Sequence, residues 1–378
     1  MIKVLFVIPE YSFGGTNKSL ENLLALMDKE KYDISVYSLY EDGGDYYKKV
    51  FAPFIIKKSR LYYWLHDNIY TRKIMGFVNK ITKTDHFAFL YKYEAKYMQR
   101  RYDFDVVVAY QEGKVTEFGT YFHGVKRIAW VQCDYPQLVG DVRYQTDKAY
   151  YDSYEKIVCV SDYTANSMRK FFKLPVGKVV GIHNTLDVKY IVTKAEGKVP
   201  EFDSSVFNIV SIGRLHEEKQ FEKIPQIVSQ MKVSTPFYWY IIGSGPDEEL
   251  IRSEIEKYHL QDKVIMLGMK DNPYPYIKKA DLVVMTSCTE SFSYVIAEAK
   301  LLHTPVLSSD FPVAYEVLDE SCGWIAPLHK FSELLSRIIE NTGNEYNTKK
   351  YSIGKYEYSN NKMIIQIDEL LHETHCVD

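Results

Sequence analysis

Charged residues follow two apolar runs of the kind that form buried strands. Arg214 and Lys219 come after residues 206–212, and Glu290 comes after residues 281–285, about seventy positions later. In an open parallel sheet, ligands bind at the carboxyl ends of the strands. The sequence therefore predicts that two cations and a carboxylate meet at one ligand-binding edge.

A helix is predicted to begin at about Phe292–Val295, and Glu298 lies within it. The unpaired N–H groups of a helix start and the two cations suit a diphosphate, whereas carboxylates suit sugar hydroxyls. Each of these features alone is also typical of solvated surface charge. Their order, spacing and strand contexts together favour a site for a nucleotide-sugar.

Two motifs carry a family resemblance. Gly-Arg-Leu-x-x-x-Lys at 213–219 and Glu-Ser-Phe-Ser-Tyr-Val-Ile-Ala-Glu at 290–298 resemble the donor site of glycosyltransferase family 4, which comprises retaining enzymes of the GT-B fold. The resemblance implies that Arg214 and Lys219 hold the donor diphosphate and that Glu290 faces the donor sugar. These three residues are the implied catalytic set, and Glu298 would bind the ribose hydroxyls.

The family pattern is usually Glu-Gly-Phe-Gly, and here Ser291 and Ser293 replace the two glycines. The amides of the loop remain available for a donor, but its backbone path could differ. Base contacts are expected largely from backbone near Met269. The implied donor-binding set is Gly14, Gly15, Arg214, Lys219, Met269, Glu290, Phe292, Ser293, Tyr294 and Glu298.

The alternation of strand-like and helical patterns predicts an α/β fold with two domains. The resemblance makes these the two Rossmann-like, doubly wound domains of a GT-B enzyme, facing each other across a cleft. We expect an acceptor-side domain at 1–193, a linker at 194–205 and a nucleotide-sugar-binding domain at 206–355. The remaining residues, 356–378, are expected to include a helix that crosses back to the first domain.

Candidate residues of the first domain follow its predicted strands. Gly14 and Gly15 could simply form a tight turn, but the family often places a Gly-Gly loop there, near the donor phosphate. Glu112 and Asp134 could hold acceptor hydroxyls, or could cap loops and form salt bridges. Gln132 stands where a similar bacterial branch, which builds surface polysaccharides, commonly has His, and Gln cannot carry a proton. A general-acid role at this position is therefore not expected.

Composition excludes several other classes of protein. A net charge of −3 over 378 residues argues against a nucleic-acid-binding protein, and the fingerprint Gly-x-Gly-x-x-Gly of an NAD site is absent. No run reaches the roughly 18 to 20 apolar residues of a membrane span. Five widely spaced cysteines without a Cys-x-x-Cys pair fit reduced thiols in a cytoplasmic protein.

Residues 57–101 form a basic, aromatic segment. Eleven basic residues against three acidic ones give it a net charge of +8. Such segments can lie on anionic lipid, which would place the protein on the inner face of the plasma membrane. They can also be solvated helices whose aromatic residues pack on the core.

These features predict a cytoplasmic, retaining glycosyltransferase, a hexosyltransferase of surface polysaccharide or capsule synthesis. The donor would be a UDP- or GDP-sugar, and the acceptor a saccharide, free or linked to polyprenyl diphosphate. No cofactor and no metal are expected, because fixed cations can stabilise the leaving diphosphate and no Asp-x-Asp motif has a fitting context. The alternatives are a nucleotide-sugar epimerase of the same fold and a non-catalytic partner subunit.

Overall fold

The computed structural model describes residues 1–12, 14–67, 69–82 and 87–373. It divides into two compact units. The first contains Met1–Thr185 and Asn360–Asp378, and the second contains Leu186–Ser359. Each unit is built around one six-stranded sheet.

All strands of the first sheet run parallel, in the order β2-β1-β3-β4-β5-β6. Strand β1 reads as an unbroken apolar run because both faces of a parallel sheet are covered by helices, and Val4–Ile8 is buried throughout. The six strands are β1 Ile2–Ile8, β2 Tyr32–Ser38, β3 Val106–Ala109, β4 Lys126–Val131, β5 Lys156–Cys159 and β6 Val179–Gly181.

The second sheet is also wholly parallel, in the order β12-β11-β10-β7-β8-β9. Its strands are β7 Phe207–Ile212, β8 Phe237–Ile242, β9 Val264–Gly268, β10 Leu282–Met285, β11 Val306–Ser309 and β12 Gly323–Ala326. In each unit the first strand lies inside the sheet, so that the chain winds outward in both directions from it. The predicted pair of doubly wound α/β domains is therefore confirmed.

The helices that cover the sheets are short, and the longest described one has 15 residues. None of the described helices is long and apolar enough to cross a membrane. In chain order they are α1 Gly15–Leu26, α2 Asp45–Phe51, α3 Arg60–Tyr62, α4 Ile69–Thr82, α5 Phe87–Arg101, α6 Lys114–Gly119, α7 Tyr135–Val139, α8 Tyr144–Asp152, α9 Asp162–Phe172, α10 Val188–Lys194, α11 Ile224–Ser229, α12 Glu248–Lys257, α13 Tyr274–Lys279, α14 Tyr294–Leu301, α15 Ala314–Val317, α16 Phe331–Ile339, α17 Glu345–Ile353 and α18 Asn361–His372.

The segment between the two sheets differs from the expected linker at 194–205. It belongs to the second unit, where Val199 is buried and Glu201 pairs with Lys270 at 2.8 Å. The segment is polar because its charged residues form ion pairs on the surface of the second unit, such as Glu201 with Lys270 and Glu196 with Lys278. Helix α18, by contrast, lies in the first unit, where Asp368 accepts a hydrogen bond from Tyr32.

Residues 57–101 form helical turns against β2, and residues 83–86 of this segment lie outside the described residues. Their inner side holds a buried polar network. Glu94 accepts hydrogen bonds from the amide of Ser59 at 2.9 Å and from the hydroxyl of Tyr37 at 3.2 Å. The Nζ of Lys58 lies 2.7 Å from Asp67, so that both charges are paired inside the unit. The segment is therefore an integral part of the first unit.

Candidate donor site of the second unit

Strand β7 lies between β8 and β10, which is the point where the strand order reverses. Ile209 pairs with Leu282 and Val210 with Val283, so the carboxyl ends of β7 and β10 lie side by side. The loop after β7 carries Arg214, which is exposed to solvent. A turn of 3-10 helix, Glu217–Lys219, follows in the same loop. Ligands bind at such switch points in open α/β sheets.

The two loops are joined by an ion pair between Lys219 and Glu290. The hydroxyl of Ser287 donates to the same Glu290 oxygen at 2.8 Å. The hydroxyl of Thr286 donates to the carbonyl of Lys219 at 2.6 Å, and the amide of Cys288 donates to the carbonyl of Glu218 at 2.9 Å. A cation and a carboxylate from distant parts of the chain are thus held at one place.

Glycines let the loop after β7 nest against the loop after β8. A Cβ on Gly243 would lie 1.8 Å from the carbonyl oxygen of Gly213, and one on Gly245 would lie 2.2 Å from that of Leu215. The amide of Leu215 also donates to the carbonyl of Ser244 at 3.0 Å. Because no larger residue fits, this contact fixes the backbone on which Arg214 sits.

Helix α14 begins at Tyr294, and Ser293 precedes it in the left-handed conformation, with φ +68°. The buried hydroxyl of Ser293 has no hydrogen-bond partner among the described residues. The family pattern has glycine at this position. Glycine adopts the left-handed conformation without strain because it has no side chain. Glu298 is buried on the first turns of the helix, and Phe292 packs edge-on against Tyr294 with ring centroids 5.2 Å apart.

Residues 193–356, which contain this whole arrangement, match the family described as glycosyl transferases group 1. We call residues 193–356 the group 1 domain, after the family that they match. The resemblance inferred from the two motifs is thereby confirmed for the second unit, since the match covers all of its strands and both charged loops.

Relatives of the group 1 domain include an enzyme of Campylobacter jejuni named N-acetylgalactosamine-N,N'-diacetylbacillosaminyl-diphospho-undecaprenol 4-alpha-N-acetylgalactosaminyltransferase. It is 27% identical over 139 residues, which are 37% of this chain and only 37% of that protein. The amylovoran biosynthesis glycosyltransferase AmsD of Erwinia amylovora is 22% identical over 324 residues, covering 82% of this chain and 81% of AmsD.

Solved structures extend the likeness to both units. The crystal structure of Anabaena HepE in complex with UDP and glucose matches 99% of this chain and 100% of its own, with a TM-score of 0.75 at 15% identity. At this identity the match shows the fold alone. The predicted GT-B fold is confirmed.

In the first unit, Gly14 and Gly15 lie at the start of a helix. Neither adopts the left-handed conformation, since Gly14 is extended with φ 169°, and a Cβ on either would meet none of the described atoms within 4 Å. Gly14 is the N-cap of α1, and Gly15 is its first residue. Packing and backbone conformation therefore give no reason for glycine at these two positions.

The three acceptor-side candidates lie at the carboxyl ends of β3 and β4. The amide of Gln132 donates to Glu112 at 3.0 Å, while the buried side-chain nitrogen of Gln132 has no partner among the described residues. Asp134 is buried and accepts from the hydroxyl of Ser167 at 2.8 Å. Each carboxylate thus has structural contacts, since Glu112 is also a hydrogen-bond partner of the Cys133 thiol and Asp134 of the Tyr163 hydroxyl.

Sequence reasoning missed Thr286 and Ser287, which anchor the two loops of the group 1 domain. It also missed His216, whose ring Nδ1 is buried without a partner among the described residues, between Arg214 and Lys219 in sequence. The sequence signal for Thr286 and Ser287 is that both are hydroxyl residues immediately after a buried strand. The sequence does not show, however, that Thr286 donates to the carbonyl of Lys219 and Ser287 to the carboxylate of Glu290.

The serine in the left-handed conformation gives a stability prediction. Ser293→Gly should raise the free energy of unfolding by about 1 kcal/mol, because it relieves the strain of a Cβ in this conformation and removes a buried hydroxyl without a partner. Urea titration followed by circular dichroism would measure this change.

Ser291→Gly is the matched control, since Ser291 does not have a positive φ. Glycine there gains nothing in the folded state and loosens the unfolded chain, so stability should stay equal or fall by up to about 1 kcal/mol. A lower unfolding midpoint for Ser293→Gly than for the wild-type chain would contradict the prediction.

Proposed function

We propose that this chain is a retaining glycosyltransferase that moves a sugar from a nucleoside diphosphate to a saccharide or lipid-linked saccharide. One observation carries the proposal. Lys219 and Glu290 form an ion pair at the switch point of the group 1 domain, where a helix also begins, and the loop of Lys219 also carries the exposed Arg214. This is the combination of charges and amides that a nucleotide-sugar needs.

In this proposal the diphosphate is bound by Arg214 and Lys219 and by the backbone amides around Phe292 and Ser293. Glu290, held in place by Ser287, accepts hydrogen bonds from the sugar hydroxyls, and Glu298 accepts from the ribose. Tyr294 and the backbone at Met269 complete the donor set. Gly14 and Gly15 are proposed as phosphate contacts, because open space rather than packing surrounds them.

The reaction breaks the bond between the anomeric carbon and the diphosphate oxygen and forms one to an acceptor hydroxyl. Negative charge grows on the diphosphate, and the two fixed cations stabilise it. The leaving phosphate can take the acceptor proton on the face that the new bond uses, which retains the anomeric configuration. No side chain is then required as the base, in keeping with Gln132 in place of a histidine.

The acceptor is proposed to be a growing surface saccharide on a polyprenyl diphosphate carrier at the inner face of the membrane. Support comes from the names of the relatives, which act on diphospho-undecaprenol or serve amylovoran biosynthesis. Glu112, Gln132 and Asp134 are the residues proposed to hold its hydroxyls. UDP is the first nucleotide to test, since it is the one bound in the similar HepE structure.

The function is tested by incubating the protein with UDP-, GDP- and ADP-sugars, with and without a crude lipid-linked acceptor. Thermal shift measurements first select the nucleotide. We expect transfer only when acceptor is present, with the donor's anomeric configuration kept in the product as read by NMR. Conversion of donor without acceptor would indicate an epimerase, and nucleotide binding without turnover would indicate a partner subunit.

Removing either cation should slow the chemistry itself. Arg214→Ala and Lys219→Ala are each expected to lower kcat by about a hundredfold or more, because each removes stabilisation of the charge that develops on the diphosphate. Lys223→Ala and Arg252→Ala, which remove exposed cations from other turns of the same unit, should leave kcat unchanged.

Glu298→Ala separates binding from chemistry in the same assay. We expect it mainly to raise the Kd for the free nucleotide, because the ribose hydroxyls lose their acceptor. The assignment of the donor site to residues 213–298 would be wrong if Arg214→Ala and Lys219→Ala both kept wild-type rates at saturating donor and Glu298→Ala left the Kd unchanged.

Metal independence follows from the same charges. In the described residues, no three His, Cys, Asp or Glu side chains are grouped as a metal site. We expect transfer to proceed at an unchanged rate in excess EDTA, because Arg214 and Lys219 supply the positive charge that a divalent ion would otherwise provide. A loss of activity that magnesium or manganese restores would show instead that a divalent ion neutralises the diphosphate.

A further inference from the structure

The outer face of helix α4 is an exposed apolar stripe formed by Tyr70, Ile74, Phe77 and Ile81. Their exposed fractions lie between 62% and 76%. At 100° per residue these positions fall within an arc of about 60° on the helix surface. Large apolar side chains are therefore aligned in a single row on the surface of the first unit.

Basic residues border this apolar stripe. Lys73 and Lys80 are exposed and lie on one flank of it, about 70° to 90° from its centre by the same helical geometry. Arg72 lies on the opposite side of the helix, where it contacts Asp42 at 2.8 Å and the ring of Tyr40. This side of the helix packs against the rest of the first unit. The contacts of Arg72 therefore orient the apolar stripe toward the solvent.

Two of the three acids of the segment do not offset these basic charges at its surface, and the third, Asp85, lies outside the described residues. Asp67 and Glu94 are paired or hydrogen-bonded inside the unit, and their side chains are buried. Of the described residues between 57 and 101, all exposed charged side chains are Lys or Arg. The described part of the outer surface thus combines apolar side chains with positive charge.

Aromatic residues at the start of the segment add a third property. Trp64, on the π-helical turn Tyr63–Asp67, is 59% exposed, and Tyr63 is exposed beside it. Tryptophan and tyrosine are enriched at the level of lipid headgroups, where one part of the ring is apolar and another is wet. The apolar stripe, the lysines that border it and the exposed aromatic residues before it together have the composition of a helix that lies in a bilayer interface.

We propose that helix α4 and the turn before it bind the surface of a bilayer that contains anionic phospholipid. Ile74, Phe77 and Ile81 enter the boundary between headgroups and acyl chains, while Lys73 and Lys80 reach the phosphates from their flank. An anionic membrane fits this surface better than a soluble partner, because the positive charge is spread along an outward-facing helix rather than placed around a groove. The helix has 14 residues and lies on the bilayer without crossing it.

Tryptophan fluorescence gives a direct test. Trp130, Trp239 and Trp324 are buried, so that Trp64 is the one tryptophan that can change environment on a surface. Vesicles with about a third of phosphatidylglycerol should shift the emission to the blue, and lipids brominated on their acyl chains should quench it. Pure phosphatidylcholine should do neither. Trp64→Phe should abolish the shift while sedimentation with the anionic vesicles persists.

Matched variants separate the two contributions to binding. Phe77→Ser with Ile81→Ser should abolish sedimentation with anionic vesicles, whereas Val176→Ser with Tyr351→Ser, which removes equally exposed apolar side chains elsewhere, should not. Lys73→Gln with Lys80→Gln should weaken binding by about 25-fold, because each cation near the surface contributes roughly fivefold. Lys29→Gln with Lys170→Gln makes the same change of charge elsewhere on the unit and should have little effect.

Salt should weaken the binding, since exposed charges are screened over roughly 8 to 10 Å at physiological ionic strength. A thermal shift with the selected nucleotide checks that each variant is folded. The proposal is overturned by equal binding to neutral and anionic vesicles, by binding to neither, or by equal losses in the control variants. Self-association that the Phe77 and Ile81 substitutions abolish, without vesicle binding, would assign the stripe to a second copy of the chain instead.

Discussion

The position of β7 between β8 and β10 is the constraint on which the candidate donor site depends. Parallel pairing aligns the carboxyl ends of these strands, so that their following loops must share one edge. The glycines of the loop after β8 then bring two backbones into direct contact, with no room for a side chain at Gly243. Arg214 and Lys219 thereby start from a rigid backbone, which is what preorganised charge stabilisation requires.

The pairing of Lys219 with Glu290 has a consequence for ligand binding. The two charges neutralise each other, and Ser287 helps to hold the carboxylate in this arrangement. In the proposed function, a donor diphosphate shares or replaces Glu290 as the partner of Lys219, which leaves the carboxylate available to sugar hydroxyls. The ion pair thus holds both side chains at the edge of the sheet where the donor is proposed to bind.

In the first unit, the distribution of charge between interior and surface follows from one buried network. Lys58, Asp67 and Glu94 find partners inside, and burial lowers the pKa of the neighbouring His66 below its usual value, which favours its neutral form. With Asp67 and Glu94 inside, all exposed charged side chains among the described residues between 57 and 101 are basic. The contacts of Arg72 with Asp42 and Tyr40 turn the opposite, apolar side of helix α4 outward, so that apolar and cationic side chains occur together there.

The sequence by itself determined the α/β class and the two parallel sheets, and it predicts the charged residues of the candidate donor site. Buried parallel strands read as continuous apolar runs, and the residues after them mark the binding edge. The short edge strand β12 is not evident in the sequence, because Gly323–Ala326 offers only four residues of weak pattern. The stretch 194–205 resembles a linker in sequence, because polar residues that form ion pairs on a domain look like linker residues.

Only the tertiary structure decided which side chains meet. The partners Lys219 and Glu290 are 71 positions apart, and the hydrogen bond from Thr286 to the carbonyl of Lys219 depends on two loops being side by side. Likewise, the aromatic residues of 57–101 are alike in sequence, yet Tyr62 and Tyr91 are buried while Phe77 is exposed. The physical reason is the same in both cases. Local pattern sets the period of a strand or helix, but burial and pairing depend on contacts with distant parts of the chain.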